Sequence, residues 1–585
     1  IGYVPHRQVE LAWEEVGSAD RRAGALLELL ALLHRHGGGT AAGERLQRYA
    51  LDLQGGLEPL PPGVALADHL EAVLRRAEAW MEAKTLQDLR NAWLLDPATA
   101  PVQIATARHM AGLQLNDRLP LRLLQAFDPG LRLSRPSPPA GPHLRLQKRA
   151  VNYRRLFPLL RRSPPPLAAT VPFAERPFGV NLVGHAFDVF GVGEDIRMAA
   201  RALQAAAIPC CVIDVPAGPE VERIDRRLEP LLCREPQAEW LGGPYAFNLV
   251  CMAAEIQARW LLQSGLAPLL ERYTLAAWPW ETDQWPEAWL PLLEVADELW
   301  PASRFTAAAQ QPAAVAAGLP VTLMPMAAEL EQPGRFRNPE ARRQARQRHG
   351  LPLEAVLFAA AFDHNSTALR KNPIGALEAF QRAFPVGAGG LSDQVALMIK
   401  TFPPKRPGGE WRWLQARAAE DPRIHLVVAC LEREELLALY GCCDAFVSLH
   451  RSEGFGRNLA EALQLGLEVV ATDYSGNTDF CLGPQAWPVG WRRVPVPPGG
   501  YPNADGHHWA EPDGDHAAEL LRQVAIQRLA DGVLPHPRAL ETGEQVGEPF
   551  SFRSTGERYR RRLEELWAQR QAIGPQLRWR QAGLG

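Results

Sequence analysis

The sequence predicts an α/β protein with two lobes, each a parallel sheet covered by helices, which follow a mostly helical extension at the N-terminus. Three observations lead to this prediction. The 585 residues exceed what one hydrophobic core serves, since a domain holds roughly 100 to 200 residues. From residue 178 onward, short apolar runs alternate with helical patterns, which is typical of parallel sheets. After about residue 335 the alternation starts again, which indicates the second lobe.

The N-terminal segment has a different pattern. Up to about residue 130, apolar and charged residues recur at helical spacing, as in RRAGALLELLALLHRH. Proline-rich stretches follow at 134–142 and 163–172, and proline's fixed φ and missing N–H make both poor helix material. We therefore expect four units: a helical extension with proline-rich linkers at 1–170, a first lobe at 171–335, a second lobe at 336–545 and a terminal helix at 546–585.

A basic stretch lies between the two proline clusters. Residues 145–162 interleave arginines and a lysine with Leu, Val and Phe. The ordinary interpretation is the solvated face of a helix. The alternative is peripheral contact with anionic lipid at a membrane surface.

Composition limits the location and the partners of the protein. The 63 basic and 66 acidic residues nearly cancel, so the chain lacks the basic character of a nucleic-acid binder. The eight cysteines form no CxxC pair and indicate buried, reduced thiols. No apolar run reaches the roughly 18 to 20 residues of a membrane span, and no signal-peptide pattern is present. We expect a cytoplasmic protein, with peripheral attachment at the inner face of the membrane as the alternative.

A glycine-containing turn follows the first strand of the first lobe. The run FGVGEDIR places Gly191 and Gly193 between a strand and a helix, where backbone N–H groups can approach a phosphate. This spacing begins a dinucleotide fingerprint, and Asp214 falls about 20 residues on. The third glycine position is Ile196, however, so the sequence does not favour NAD.

The second lobe carries the run SEGFGRNLAEALQLG. Glu453 precedes a glycine-rich turn, and Glu461 follows eight residues later on the helix that the turn opens. Because two helical turns take about 7.2 residues, Glu461 lies on a face near the loop. Free N–H groups and the helix dipole would bind a diphosphate there, and carboxylates can accept hydrogen bonds from sugar or ribose hydroxyls. On spacing alone, two surface glutamates beside an ordinary loop fit equally well.

The wider sequence resembles one family. Glu453 and Glu461 with the intervening turn resemble the Glu-x7-Glu signature of family-four retaining glycosyltransferases of GT-B fold, the bacterial polysaccharide type. The resemblance continues in FDHNSTALRKNPIGALEAFQRAFP, in ALMIKT and in NLVGHAFDVFGVGEDIRMAARAL, and it covers roughly residues 176–570. It implies two Rossmann-like lobes facing a cleft. It also implies retaining transfer from a UDP- or GDP-sugar to a hydroxyl of a glycan, lipid-linked or protein acceptor.

The resemblance further implies roles for single residues. Glu461 would bind the ribose and Glu453 a donor-sugar hydroxyl, while Lys371 resembles the family's diphosphate-binding lysine. We expect Glu453 and Lys371 to be catalytic. Backbone and turn positions expected at the donor are Gly454, Phe455, Gly456, Gly191 and Gly193.

One position departs from the family pattern. Many relatives carry an arginine six residues before the diphosphate-binding lysine, and here that position is Asn365. Arg370 and Lys400 are the candidates that would supply the missing positive charge at the donor.

The acceptor side is less defined. His185 lies close to the first-lobe turn, where a core role is an equal alternative to acceptor binding. The run WPWETDQW offers Trp278, Trp280, Glu281 and Asp283 to a sugar, because aromatic faces stack on sugar rings and carboxylates bind hydroxyls. Simple packing within the loop explains this run equally well.

Two further patterns do not indicate a metal. Asp513 and Asp515 in PDGD precede a helical run, where one of them serves naturally as helix N-cap. His507 and His508 lack the spacing of a zinc site. We expect no catalytic metal and no cofactor besides the nucleoside diphosphate sugar, which is a substrate.

Two other functions remain open at the level of sequence. One is a nucleotide-sugar epimerase or sugar phosphorylase on a similar fold. The other is a glycan- or nucleotide-binding scaffold that keeps the fold without catalysis, because a fold does not by itself imply a function.

Overall fold

The computed structural model describes residues 171–573, apart from 218–220, 235–241, 265–266, 364–366, 405–408, 532–542 and 544, and two short strands before them. These strands, β1 (Leu131–Leu133) and β2 (Leu144–Leu146), pair antiparallel. Both read Leu-Arg-Leu, the period of two that suits a strand. The basic stretch, predicted as a helix, therefore begins in a strand. The predictions for residues 1–130 and 147–170 lie outside the described residues.

The first lobe contains a five-stranded parallel sheet of order β4-β3-β5-β6-β7. Every residue of β3 and β5 is buried, because helices cover both faces of such a sheet. Its strands are β3 (Val180–Gly184), β4 (Cys210–Asp214), β5 (Phe247–Cys251), β6 (Tyr273–Ala276) and β7 (Glu298–Leu299). Its α-helices are α1 (Gly191–Ala205), α2 (Ala254–Ser264) and α3 (Arg304–Ala316), with 3-10 turns at Phe173–Glu175, Glu229–Leu231, Ala267–Leu269 and Glu287–Val295.

The second lobe contains a six-stranded parallel sheet of order β10-β9-β8-β11-β12-β13. Its strands are β8 (Val356–Ala361), β9 (Val395–Thr401), β10 (Ile424–Val428), β11 (Ala445–Ser448), β12 (Glu468–Thr472) and β13 (Ala486–Val489). Its α-helices are α4 (Pro339–Arg348), α5 (Ala368–Lys371), α6 (Pro373–Ala383), α7 (Gly409–Glu420), α8 (Arg433–Gly441), α9 (Arg457–Gln464) and α10 (Gly514–Asp531), with 3-10 turns at Pro333–Phe336, Gly390–Gln394, Gly476–Asp479 and Glu548–Phe550.

The predicted GT-B arrangement is confirmed in the described part of the chain. Both lobes are parallel α/β layers, and residues of both line one cavity between them. Ligands of open α/β sheets bind outside the carboxyl ends of the strands, which is where this cavity lies.

The last helix returns to the first lobe. Helix α11 (Phe552–Ala568) packs against α1, and Tyr559 stacks on Trp300 with ring centroids 5.3 Å apart. Arg562 forms an ion pair of 2.8 Å with Glu298, which is fully buried. The sequence predicted this helix but not the lobe on which it docks.

A two-stranded ribbon joins the lobes on another side. Strands β14 (Trp491–Pro495) and β15 (His508–Pro512) pair antiparallel beyond the main sheet of the second lobe. Asp283 of the first lobe accepts hydrogen bonds from Arg493 at 2.6 Å and from the backbone N–H of His508 at 2.9 Å. The ribbon therefore fixes the tryptophan-rich loop of the first lobe against the second.

The cysteines agree only in part with the sequence prediction. All eight are free. Cys251, Cys442 and Cys443 are buried, whereas the other five are half-buried, so burial was predicted correctly for three.

Among the helices that the structure describes, none has the length and apolar character that crossing a membrane demands.

We expect Gly556→Ala to lower the free energy of unfolding by about 1 to 3 kcal/mol through overpacking. A Cβ at Gly556 would collide with the backbone oxygen of Ala202 and lie 2.9 Å from the Cβ of Ala206. The matched control is Gly409→Ala in α7, where a Cβ meets no atom within 4 Å. Urea unfolding followed by circular dichroism measures both. Equal stability of the two variants would contradict close packing of α11 on α1.

Candidate functional site

The cavity between the lobes has a volume of about 1170 Å³. Ten of the residues predicted from the sequence line it: Gly191, Trp278, Trp280, Glu281, Lys371, Lys400, Glu453, Gly454, Phe455 and Gly456. Four predicted residues lie behind its wall: His185, Gly193, Arg370 and Glu461. The structure thus separates side chains that can touch a ligand from those that act through a neighbour.

The glycine-rich turn is anchored to both lobes. Gly456 is the N-cap of α9 and has φ of +97°, a left-handed conformation that favours glycine. A Cβ on Gly454 would lie 2.8 Å from the backbone oxygen of Trp280. The carbonyl of Gly454 accepts hydrogen bonds from Ser303 at 2.5 Å and from Thr306 at 3.2 Å, both in the first lobe. The backbone N–H groups at the start of α9 are therefore held at the cavity wall.

Glu453 and Lys371 form an ion pair in this wall. The Nζ of Lys371 lies 2.5 Å from Oε1 of Glu453, and Nη1 of Arg370 lies 3.3 Å from Oε2. Burial alone would raise the pKa of Glu453, but the charges of Lys371 and Arg370 lower it to about 2. Glu453 is thus ionised at neutral pH, and the protein's own cations balance its charge.

Arg370 connects this pair to the first lobe. Its side chain is fully buried, and it donates to the backbone oxygen of Ser452 at 2.6 Å. Its Nη2 lies 2.9 Å from Oε1 of Glu281, so one guanidinium binds two carboxylates from different lobes. Because Arg370 is engaged in this way and lies behind the wall, it does not present its charge to the cavity.

Tyr501 is a cavity residue that sequence reasoning missed. It lies in the connection between β14 and β15, and its hydroxyl donates to Oε2 of Glu281 at 2.5 Å. Its ring makes an edge contact with Trp280, with centroids 5.5 Å apart. A tyrosine in a Gly- and Pro-rich loop gives no sequence signal of this role, because the contact depends on how the ribbon crosses between lobes.

Glu461 does not reach the cavity directly. It is 1% exposed, and its Oε1 accepts a hydrogen bond of 2.7 Å from Nη2 of Arg433. Its Oε2 is buried without a hydrogen-bond partner among the described residues. Arg433, the first residue of α8, lines the cavity in front of it. The sequence predicted the position of Glu461 on its helix but not the arginine that covers it.

Ion pairs across the cleft hold the two lobes together. Arg433 also lies 3.7 Å from Glu194, in the first turn of α1. Burial would raise the pKa of Glu194, but Arg433, Arg197 and Arg227 together lower it well below its usual range. Charges from both lobes therefore compensate one another at the cavity.

The first-lobe glycines occupy the helix itself and not the turn before it. Gly191 is the first residue of α1 and lines the cavity, and a Cβ at this position would meet no atom within 4 Å. Gly193 lies two residues further, where a Cβ would collide with the backbone oxygen of Asp188. We therefore correct the prediction: Gly191 faces the cavity, whereas Gly193 permits close packing of the helix start.

The acceptor candidates divide in the same way. His185 is 2% exposed, its Nδ1 donates to the backbone oxygen of Val215 at 2.6 Å, and burial lowers its pKa. It has the core role that was the alternative. Trp278 stacks on Trp285 with centroids 5.7 Å apart, as loop packing predicts. Trp280 is 2% exposed, so little of its surface is accessible to a ligand although it lines the cavity.

The Asp-x-Asp pattern has the predicted structural role. Oδ1 of Asp513 accepts the backbone N–H groups of Asp515 at 2.9 Å and His516 at 3.0 Å, at the start of α10. The N-cap prediction is therefore confirmed. In the part of the chain that the structure describes, no three His, Cys, Asp or Glu side chains are grouped as metal ligands would be.

Comparison with known proteins gives one sequence match. The model of the family described as "Glycosyl transferases group 1" matches residues 410–481, which extend from α7 past the glycine-rich turn to the start of the segment before β13. Among curated proteins, none matches this sequence significantly.

Several solved structures are similar in fold. HepE of Anabaena, solved with UDP and glucose, is 14% identical over 67% of this chain and 100% of its own, with a TM-score of 0.45. Sucrose-phosphate synthase of Thermosynechococcus elongatus is 18% identical over 67% and 100%, with a TM-score of 0.44. A glycosyltransferase of Rickettsia africae is 12% identical over 66% and 98%, with a TM-score of 0.46. Similarity at this level carries no conclusion about the reaction, which depends on the site residues.

We expect the stability difference between the wild type and Glu453→Gln to depend on pH. The folded-state pKa of Glu453 is depressed from an ordinary 4.5 to about 2. Its ionisation therefore stabilises the fold above pH 4.5, by up to about 3 kcal/mol. That contribution is lost as pH falls from 4.5 towards 2.

Urea unfolding at a series of pH values measures the difference. Glu557→Gln on the exposed face of α11 is the control, with 64% of its side chain accessible. A wild-type advantage over Glu453→Gln that stays constant down to pH 3 would contradict the ion pair with Lys371.

Proposed function

We propose that this protein is a metal-independent, retaining glycosyltransferase. It transfers a sugar from a UDP- or GDP-sugar to a hydroxyl of a glycan, lipid-linked or protein acceptor. The observation that carries the proposal is the ion pair of Glu453 and Lys371, set in the cavity wall where the glycine-rich turn opens α9. The family match at residues 410–481 supports it, because that segment includes the turn.

The chemistry follows from this placement. The diphosphate of the donor binds at the free N–H groups of α9, where the helix dipole favours negative charge. Lys371 neutralises the charge that develops on the diphosphate as the sugar leaves, and Glu453 accepts a hydrogen bond from a sugar hydroxyl. The acceptor hydroxyl attacks on the face shared with the leaving group, and a diphosphate oxygen accepts its proton.

Donor binding redirects the ion pair. Lys371 neutralises Glu453 in this structure, so the amine must turn towards the diphosphate when the donor enters. Arg370 remains 3.3 Å from the other oxygen of Glu453 and keeps that carboxylate ionised. The carboxylate therefore stays a hydrogen-bond acceptor for the sugar while Lys371 serves the phosphates.

The ribose site depends on Glu461 and Arg433 together. The second carboxylate oxygen of Glu461, Oε2, is the acceptor that a ribose hydroxyl would use. Arg433 stands between it and the cavity, so the guanidinium must shift or share the contact when nucleotide binds. Until then Glu461 holds Arg433 in position through their hydrogen bond.

Two alternatives make different predictions. A glycosyltransferase should release nucleoside diphosphate when an acceptor is added and not before. An epimerase or a sugar phosphorylase would not show this dependence on the acceptor. A binding scaffold would keep its partner after loss of Glu453 and Glu461. The paired, ionised Glu453 beside a cavity-facing lysine favours catalysis, since a scaffold has no need of that arrangement.

Free cysteines support the cytoplasmic location proposed for the enzyme.

The two glutamates should be distinguishable by ligand. We expect Glu461→Gln to weaken both nucleoside diphosphate and nucleotide sugar about 10-fold or more, because both carry the ribose. Glu453→Gln should weaken mainly the nucleotide sugar. Calorimetric titration with UDP, GDP and their glucose conjugates measures these affinities, and Glu519→Gln is the control because that side chain is 51% exposed. Identical losses for both ligands in both variants would contradict the assignment.

Lys371→Met should depress turnover more than donor affinity. Only interactions that are stronger in the transition state raise the rate, and the diphosphate gains charge as the sugar leaves. Removing one such group typically costs about 2 to 4 kcal/mol, or roughly 30-fold to 1000-fold in kcat. Steady-state release of nucleoside diphosphate with and without acceptor measures this. Wild-type kcat in Lys371→Met would refute the role, and wild-type activity that requires added magnesium or manganese would refute the metal-free mechanism.

A further inference from the structure

Lys400 sits at the cavity end of a core strand. Along β9, Ala396 and Met398 belong to the hydrophobic core between the sheet and helices α8 and α9. Since side chains alternate along a strand, Lys400 continues the same face one position before the strand ends. It lies opposite Ala361 of β8 and lines the cavity. The core-facing side of β9 thus ends in the amine of Lys400, which lies at the cavity.

This amine forms no ion pair with a carboxylate of the described residues. Lys400 is 4% exposed, and its Nζ lies 3.7 Å from the centroid of the Phe402 ring. The carboxylate of Asp363 acts on its charge through space without forming an ion pair with it. A cation–π contact is weaker than an ion pair with a carboxylate, and a buried charge without a partner is destabilising. An anion that binds beside Lys400 would therefore stabilise its buried charge.

The other cations that line the wall, most of them partly exposed, are paired with carboxylates or lie in solvent. Lys371 pairs with Glu453 and Arg433 with Glu461. Arg457, Arg197 and Arg227 likewise pair with carboxylates of the first lobe. Arg226 lies over a phenylalanine ring but is exposed to solvent. Within the described part of the wall, Lys400 is thus the buried cation that forms no ion pair with a carboxylate.

We propose that Lys400 binds a phosphoryl oxygen of the substrate and supplies the second positive charge that the family pattern lacks at Asn365. The inference rests on the proposed function for the identity of the ligand. It also decides between the two candidates named from the sequence, because Arg370 is engaged by Glu281 and Glu453 behind the wall. The phosphoryl group belongs either to the donor diphosphate or to a phosphorylated acceptor.

The titration of Lys400 supports this placement. Burial lowers the pKa of its amine to about 8, while Cys430 after β10 and Asp363 after β8 oppose that shift. Cys430 in turn contacts Glu222 of the first lobe. Because a bound anion needs the charged amine, phosphoryl binding through Lys400 should weaken as pH rises above about 8.

The test compares Lys400→Met with Lys400→Arg in the full chain. Met is neutral and fits a buried position, whereas Arg keeps the charge. Arg553→Met is the control, since Arg553 is 84% exposed on α11. The probes are inorganic pyrophosphate, UDP, GDP, uridine, guanosine and glucose 6-phosphate, titrated by calorimetry, together with the melting temperature of each variant without ligand.

We expect Lys400→Met to weaken pyrophosphate, UDP and GDP by about 10-fold to 100-fold, the usual effect of losing a hydrogen bond to a charged group. Nucleoside binding should be unchanged, and Lys400→Arg should retain most of the affinity. Without ligand, the Lys400→Met variant should melt no lower than the wild type, because a buried charge is removed. A structural role would instead lower its melting temperature.

Several outcomes separate this proposal from the proposed function. Loss confined to glucose 6-phosphate supports the site and assigns it to the acceptor. Unchanged binding of every phosphoryl probe, an equal loss for the nucleosides, or no pyrophosphate binding by the wild type overturns the role of Lys400. Binding of pyrophosphate through Lys400 without any binding of UDP or GDP leaves the anion site in place and counts against the proposed function.

Discussion

The site depends on the compensation of buried charge by Arg370. This guanidinium is fully buried, and it binds Glu281 of the first lobe and Glu453 of the second. A buried carboxylate without a cation is destabilising, and removing the arginine would leave Glu281 without this cation and Glu453 with Lys371 alone. The two lobes consequently meet around one cation. The position of Glu453 beside Lys371, and of Glu281 beside Tyr501, follows from that arrangement.

Charge matching also explains how one cavity can be lined by so many ionised groups. Glu461, Arg433 and Glu194 form a chain from the second lobe to the first. Each member lowers the cost of burying its neighbour, and together they hold the lobes close. A nucleotide bound as we propose would exchange some of these contacts for its own hydroxyls and phosphates. In the proposed function, substrate binding and the contact between the lobes would therefore depend on the same side chains.

Lys400 differs from the other charged groups of the wall because it forms no ion pair. A wall built of paired charges offers a ligand little net attraction, whereas one unpaired buried amine offers a defined point for an anion. Lys371 is paired with Glu453 in this structure, so in the proposed function the two lysines would bind a diphosphate in different ways. Lys400 would bind the diphosphate without first leaving an ion pair, whereas Lys371 would have to leave Glu453.

The sequence by itself determined the alternation of strands and helices in both lobes, the helix that begins after the glycine-rich turn, and the eight-residue spacing between Glu453 before that turn and Glu461 within the helix. These features depend on neighbours within a few residues, through apolar periodicity, glycine conformation and helix geometry. Which charge each carboxylate meets was decided only by the tertiary structure. Arg370 lies 83 positions from Glu453, and Tyr501 lies 220 from Glu281. The interaction between two charges depends on their distance and burial in the packed structure. The spacing of residues along the sequence shows neither the distance nor the burial.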